Sequence, residues 1–295
     1  MKILVTGKNG QVGFELQRAL AAVGEVVAVG QRDCDLADAD AIRALVRRVA
    51  PDVIVNPAAY TAVDKAEADQ QTAFAVNAQA PGVLGEEAAR LGALVVHYST
   101  DYVFDGAKQG SYAESDVPDP QSVYGSTKYA GEQALAQVNP RHLILRTSWV
   151  VGAHGGNFAR TMLRLAAERE RLTVVADQYG APTTAALLAD LTAQLVRQYQ
   201  REGAKTFPFG TYHVAGGGET NWYEYARFVL AEALAAGKTL KAGPNAVSPL
   251  ATADYPTPAK RPANSRLDTR HFRTTFGLRL PPWQESVRHV LQQIF

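Results

Sequence analysis

The 295-residue chain has a single cysteine, Cys34. That excludes an internal disulfide and any cysteine-rich zinc site, and it agrees with a reducing compartment, the cytoplasm. Neither sign of charge is in excess: 30 Lys and Arg face 29 Asp and Glu, a formal net charge of +1. With no long Lys/Arg block, the electrostatic stripe required by nucleic acid or an anionic membrane surface is missing. No apolar run approaches the roughly 18 residues of a membrane span, and Ile3-Leu-Val-Thr6, soon ended by Gly7, is too short for the apolar stretch of a signal peptide. The six histidines, His97, His154 and His213 among them, lack the close HxxH-like spacing of metal ligands, so structural or surface roles are expected for them. What is present is an ordinary globular composition, 46% hydrophobic and 20% charged. It suits about two domains and a small-molecule ligand.

Short β-branched runs alternate with helical patterns through the first half of the chain: Lys2–Thr6 then Gln11–Ala22, Glu25–Val29 then Asp38–Val49, Val53–Asn56 then Asp64–Arg90, Leu94–Tyr98 then Ser122–Val138. Strands apolar on both faces, such as Val53-Ile-Val, are those of a parallel sheet covered on both sides, so the register predicts an α/β, doubly wound, Rossmann-like fold. His142–Arg146, Leu172–Val175 and Thr211–Val214 are read as fifth, sixth and seventh strands, with a helix over Thr184–Gln198. The texture changes after Val150, with a glycine-rich turn Gly152–Gly156, a helix Phe158–Arg169 and five prolines between Pro244 and Pro262. Those prolines exclude regular helix or central strand. The expected division is a dinucleotide-binding domain of residues 1–149 with a return segment of about 172–220, and a smaller, discontinuous α/β substrate domain of about 150–171 and 221–295.

Gly7-Lys-Asn-Gly10-Gln11-Val12-Gly13 joins the first strand to the first helix. Glycines there let the chain turn tightly and let a pyrophosphate approach backbone N–H groups at the helix N-terminus. A glycine triplet alone also suits a plain turn; its place inside a βα repeat favours dinucleotide binding. Where an acidic residue at the end of the second strand would accept the ribose 2′-OH of NAD, the chain has Gly30-Gln31-Arg32. Absence of the carboxylate together with a guanidinium favours a 2′-phosphate, hence NADPH, with NADH the alternative; Arg32 as a solvated loop charge is the plainer reading. Asp35 and Leu36 are expected to border the adenine. Ala58, Ala59 and Tyr60 follow the third strand, where small residues suit either packing or ligand approach.

Tyr124 and Lys128 stand four residues apart, so on a helix they share a face and the ammonium can favour the ionised phenol. With 12 Tyr and 9 Lys, roughly 0.4 such pairs arise by chance, so the pair is informative only beside the glycine turn and Ser99-Thr100. Tuning a phenol from about 10 toward 7 takes roughly 4 kcal/mol of preference for the anion. A half-buried aromatic at a helix start and a solvated lysine are the plainer readings of the two residues.

Together, Gly7–Gly13, Tyr98-Ser-Thr-Asp-Tyr-Val-Phe-Asp-Gly106, Tyr124-Gly-Ser-Thr-Lys128, Arg146-Thr-Ser-Trp149, Asp177-Gln-Tyr-Gly-Ala-Pro-Thr183 and Arg261-Pro-Ala-Asn-Ser-Arg-Leu-Asp268 make the chain resemble the dTDP-4-dehydrorhamnose reductases of the extended short-chain dehydrogenase superfamily, over nearly its whole length. The resemblance implies NADPH-dependent reduction of a dTDP-linked 4-keto-6-deoxy sugar to dTDP-L-rhamnose. Thr100 would bond the keto oxygen, Tyr124 would protonate it, and Lys128 would hold the cofactor ribose and lower the phenol pKa; Tyr98 would lie against the cofactor. Thr61, Val63, Thr100, Asp101, Tyr102 and Trp149 would contact sugar nucleotide, and Arg261 would take the diphosphate through its fork. Trp149 as core packing and Arg261 as a helix cap are the structural alternatives. Some dimeric members hold Mg²⁺ at a subunit interface with three glutamates; of these only Glu15 is retained, with Ala186 and Gln293 at the other positions, which argues against that site and leaves open whether the chain is a homodimer without it. Two rival functions share these motifs, a nucleotide-binding regulatory subunit like that of methionine adenosyltransferases and a sugar-nucleotide epimerase or dehydratase. The base stays open between dTDP and UDP.

Overall fold

A computed structural model describes residues 1–295. In its first half β1 (Lys2–Val5), α1 (Gln11–Leu20), β2 (Glu25–Ala28), α2 (Ala39–Val49) and β3 (Val53–Asn56) lead through α3 (Val63–Ala66), α4 (Gln70–Phe74) and α5 (Ala80–Leu91) to β4 (Leu94–Thr100), α6 (Val123–Val138) and β5 (His142–Thr147). The second half runs β6 (Val150–Val151), α7 (Phe158–Glu168), β7 (Leu172–Val175), β8 (Tyr179–Gly180), β9 (Thr183–Thr184) and α8 (Ala185–Glu202). It continues through β10 (Gly210–His213), β11 (Thr220–Asn221), α9 (Trp222–Ala235), β12 (Val247–Leu250), α10 (Arg270–Phe276) and α11 (Trp283–Ile294).

The main sheet has six strands in the order β10-β5-β4-β3-β1-β2, every pair parallel. Alternate residues of β1 enter opposite cores: Ile3 and Val5 pack with Leu16, Leu20, Leu188 and Leu195 on one side, and Leu4 with Ile42, Leu45, Leu84 and Leu135 on the other. The sheet is thus doubly wound, as the two-sided apolar strands predict. From β1 the chain goes outward to β2 and then returns to β3 on the far side of β1. A ligand crevice therefore opens beyond the carboxyl ends of β1 and β3.

Three segments differ from the sequence reading. Asp64–Arg90 is not one helix but α3, α4, a π-helical turn over Ala75–Gln79, and α5. Pro81 has no N–H for the carbonyl of Asn77, so the helix widens there. Leu172–Val175 is not a strand of the main sheet; β7 pairs in parallel with β12 and packs on Ala226 and Leu230 of α9. Its alternating burial, with Thr173 exposed, belongs to a two-stranded ribbon with one wet face. Finally, α10 returns to the main core, where Phe272 and Phe276 pack with Tyr212 and Phe207, so the expected 221–295 segment does not lie wholly in the smaller lobe. That lobe is centred on Val151, Tyr225, Trp283, Val287 and Leu291. No helix is long and apolar enough to cross a membrane.

Candidate active site

The turn after β1 is fixed by what its glycines exclude. Gly7 has φ +61°, and a Cβ on it would stand 3.0 Å from Ala58, while a Cβ on Gly13 would stand 2.0 Å from the Gly7 carbonyl oxygen. The turn thus closes against the loop after β3 with no room for side chains. Gly10 caps α1 without a side chain, and the N–H groups of Gln11, Val12 and Gly13 make no bond within the protein. Unsatisfied donors at a helix N-terminus, bordering a cleft of about 990 Å³, suit a pyrophosphate. The Gln11 side chain has a different task from the one expected of it: its Oε1 accepts from Gly152 N (2.8 Å) and Asn157 Nδ2 (3.0 Å), tying the glycine-rich loop of the smaller lobe over this turn.

At the end of β2, Gly30 leaves space that Asn9 and Lys8 cross, since a Cβ there would meet Asn9 Nδ2 at 2.9 Å. Asp33 accepts from Gly30 N (2.8 Å) and from Lys8 Nζ (2.6 Å), and both bonds hold its carboxyl below the usual range. Asp35 and Leu36 line the cleft, as do Ala58, Ala59 and Tyr60. Arg32 does not line it; its side chain is exposed at the rim.

The reacting end lies where β4 stops and α6 starts. Ser122 caps α6 by accepting from Gly125 N at 3.1 Å, which sets Tyr124 in the first turn and Lys128 one turn on, both lining the cleft with Thr100. Thr100 Oγ1 accepts from Tyr102 N (3.2 Å) and donates to Asp101 Oδ1 (3.1 Å). Burial pushes the Tyr124 phenol above its ordinary value, with Asp101 and Tyr102 adding to the rise and the Thr100 hydroxyl opposing it. Burial also pulls Lys128 down to about 8. Its Nζ donates to the Tyr98 carbonyl at 2.6 Å and lies 3.2 Å from His97 Nε2. The expected lowering of the phenol by Lys128 is not found here: the one group that opposes burial is Thr100. Tyr98 lines the cleft while its hydroxyl is 2.5 Å from Thr192 Oγ1 and its side chain is part of the main core.

Of the expected substrate contacts, Thr61, Val63, Thr100, Tyr102 and Trp149 line the cleft, and Tyr102 meets Tyr124 edge-on at 5.4 Å. Asp101 and Arg261 do not. Asp101 lies buried beneath Thr100, its carboxyl raised to about 6 by desolvation. Arg261 is paired with Asp64 at 2.6 Å and touches the Tyr102 hydroxyl at 3.4 Å, which clasps its loop to α3. The sequence reading missed Trp222, stacked on Trp149 with centroids 3.7 Å apart and lining the same cleft. An asparagine cap followed by an aromatic at 221–222 was its only local signal. Trp149 has φ +50°, a costly backbone for a bulky residue. Also missed was Asn77, which brackets the backbone of Tyr60 (2.8 and 3.1 Å) and reaches Thr127 on α6 at 3.2 Å.

Residues 1–295 match the family model described as the RmlD substrate binding domain. The chain is 48% identical to the dTDP-4-dehydrorhamnose reductase of Salmonella typhimurium, with 100% of this chain and 98% of that protein aligned. It is 47% identical to the Escherichia coli K12 protein of the same name, with the same coverage. Among solved structures, the Bacillus anthracis dTDP-4-dehydrorhamnose reductase in complex with NADP superposes with a TM-score of 0.90 at 33% identity, covering 99% of both chains.

Proposed function

Because the chain belongs to the dTDP-4-dehydrorhamnose reductase family, we propose that it reduces dTDP-4-dehydro-6-deoxy-L-mannose to dTDP-L-rhamnose in the cytoplasm with NADPH, using Tyr124 as the proton donor. The observation that supports this best is the meeting of Thr100, Tyr124 and Lys128 in one cleft with the donor-rich turn at Gly10–Gly13. Gln11, Val12 and Gly13 would take the pyrophosphate through their free N–H groups, and Asp35 and Leu36 would border the adenosine. When bound, the cofactor supplies hydride.

The protein's share is the proton and the geometry. Tyr124 keeps its proton at neutral pH because burial disfavours the phenolate, so it can give that proton to the ketone oxygen as negative charge gathers there. Thr100 Oγ1 accepts from Tyr102 N, which fixes the hydroxyl oxygen; its hydrogen, turned from Asp101 to the ketone, would orient the ketone oxygen toward the phenol. The Lys128 ammonium supplies a fixed positive charge beside the reacting end. Trp149 and Trp222 form an aromatic wall for the nucleotide half of the substrate. Following loss of reduced-nicotinamide absorbance with the keto-sugar nucleotide tests this reading; folded, NADPH-binding protein without turnover would refute it.

Two narrower expectations follow. Arg32→Ala should weaken NADPH binding roughly tenfold, about 1.4 kcal/mol, and leave NADH binding unchanged, as read by fluorescence titration; unchanged NADPH affinity would shift the 2′-phosphate to Lys8. EDTA should leave both rate and size-exclusion volume unchanged, because Glu15, bound by Arg18 at 3.1 Å, has Ala186 and Gln293 rather than carboxylates at the corresponding positions.

A further inference from the structure

Behind Lys128 runs a line of buried polar side chains that the reaction above does not use. Lys128 Nζ stands 3.2 Å from His97 Nε2 on β4, His97 Nδ1 stands 3.1 Å from Asn56 Nδ2 on β3, and Asn56 Oδ1 accepts from Thr6 Oγ1 on β1 at 2.5 Å. All four residues are at most 2% exposed. No other ionisable side chain bonds to His97. The groups bonded to Lys128 are the Tyr98 carbonyl and His97 from β4; on its own helix Tyr124 stands one turn before it and Glu132, the charge acting on it, one turn after, and Glu132 is already held by Arg146 of β5.

The donors and acceptors in this line can be satisfied in two ways. With Asn56 Nδ2 donating to Nδ1, a neutral imidazole carries its hydrogen on Nε2, and a lysine nitrogen opposite it can accept only as the free amine. With the Asn56 amide turned over, Nδ1–H donates to Oδ1, Nδ2 donates to a rotated Thr6 hydroxyl, and Nε2 becomes an acceptor for the ammonium. Each arrangement leaves every member of the line partnered, which matters because an unpaired polar group in so dry a place is costly.

We propose that His97 is a positioning residue for Lys128: with Asn56 and Thr6 behind it, it forms a reversible hydrogen-bond line that partners the buried lysine both as ammonium and as amine, and so sets the pH at which one gives way to the other. Burial and the neighbouring Lys128 hold His97 well below the ordinary histidine range, so the ring stays neutral throughout and changes tautomer rather than charge. The geometry stands by itself; its consequence for turnover rests on the reductase reading.

The test is a titration of the lysine side-chain NMR signals in the full-length protein, with Lys128 assigned by its absence from Lys128→Met. Lys128 should titrate near 8. In His97→Leu the ammonium loses a charge-assisted acceptor while the amine loses only a weaker donor, so the midpoint should fall by about one pH unit; His97→Gln, which can accept or donate, should keep it. Asn56→Asp can only accept from Nδ1–H, locks Nε2 as an acceptor, and should raise the midpoint. A His97→Leu midpoint equal to wild type would overturn the proposal. Should that variant not fold, a midpoint in Asn56→Asp that stays or falls would do so. In turnover, the alkaline limb of kcat should move with each midpoint. Shifted midpoints in a protein that does not reduce the keto-sugar would refute the reductase reading and leave the His97 line standing.

Discussion

Tyr124→Phe is expected to lower kcat for keto-sugar reduction by about 10²- to 10⁴-fold while leaving NADPH affinity and Tm close to wild type. The substitution removes one oxygen. The one group that oxygen meets is the Thr100 hydroxyl, which tempers its rise, and the ring stays against Tyr102, so packing is kept. What is lost is the cleft-lining phenol that shares the reacting end with Thr100, and Asp101, buried and outside the cleft lining, cannot take its place. The pH profile carries a second check. The phenol is raised by burial, so it remains protonated across the working range and does not set the alkaline limb. Lys128 sits at about 8; as a cationic acid it is charged below that pH and neutral above it. kcat should therefore fall as pH rises through about 8. A Tyr124→Phe enzyme within tenfold of wild type would remove the phenol from the mechanism.

Most of the framework was legible because it depends on local patterns. β3 is Val53-Ile-Val-Asn, buried at every position, and such a run between helical periods has few ways to be placed other than inside a parallel sheet. The glycine turn was legible because the contacts at Gly7 and Gly13 exclude any side chain. What escaped was decided by tertiary partners. Nothing within Leu172–Val175 says that its neighbour will be Val247–Leu250 rather than β5, and the apolar run suits both. Asp64–Arg90 reads as one helical pattern through Pro81, and that it holds a π turn with Asn77 against Tyr60 depends on α6 packing so close that a Cβ on Gly131 would stand 2.0 Å from the Asn77 carbonyl. Arg261 shows the same limit at the site. Its motif signals a cation, yet its present partner is Asp64, almost two hundred residues earlier in the chain, and ion-pair choice of that kind is not written in either segment alone.

Glu132→Ala is expected to destabilise the fold by about 3–5 kcal/mol, measured by urea unfolding with absorbance-independent controls for aggregation. Glu132 takes both Arg146 Nε (2.9 Å) and Arg146 Nη2 (2.6 Å) in a forked pair. The two side chains are only 4% and 6% exposed, so solvent screening offers little relief when one is removed. The guanidinium cannot shed its proton, and its third nitrogen, Nη1, already has no partner. What remains for it in the variant is the face of Phe104 at 5.2 Å, worth far less than a carboxylate. The pair itself need not stabilise the protein relative to a well-packed apolar replacement, so Glu132→Leu combined with Arg146→Met should recover a large part of the loss, and a double-mutant cycle should give a coupling of more than 1 kcal/mol. A Glu132→Ala variant within 1 kcal/mol of wild type would show that water reaches Arg146 in solution. The consequence reaches the site because Glu132 lies one turn beyond Lys128 on α6 and ties that helix to the end of β5. With net stabilities of domains near 5–15 kcal/mol, a loss of this size loosens the helix that carries both Tyr124 and Lys128, so kcat should decline at temperatures well below the measured Tm, while the double variant keeps its rate.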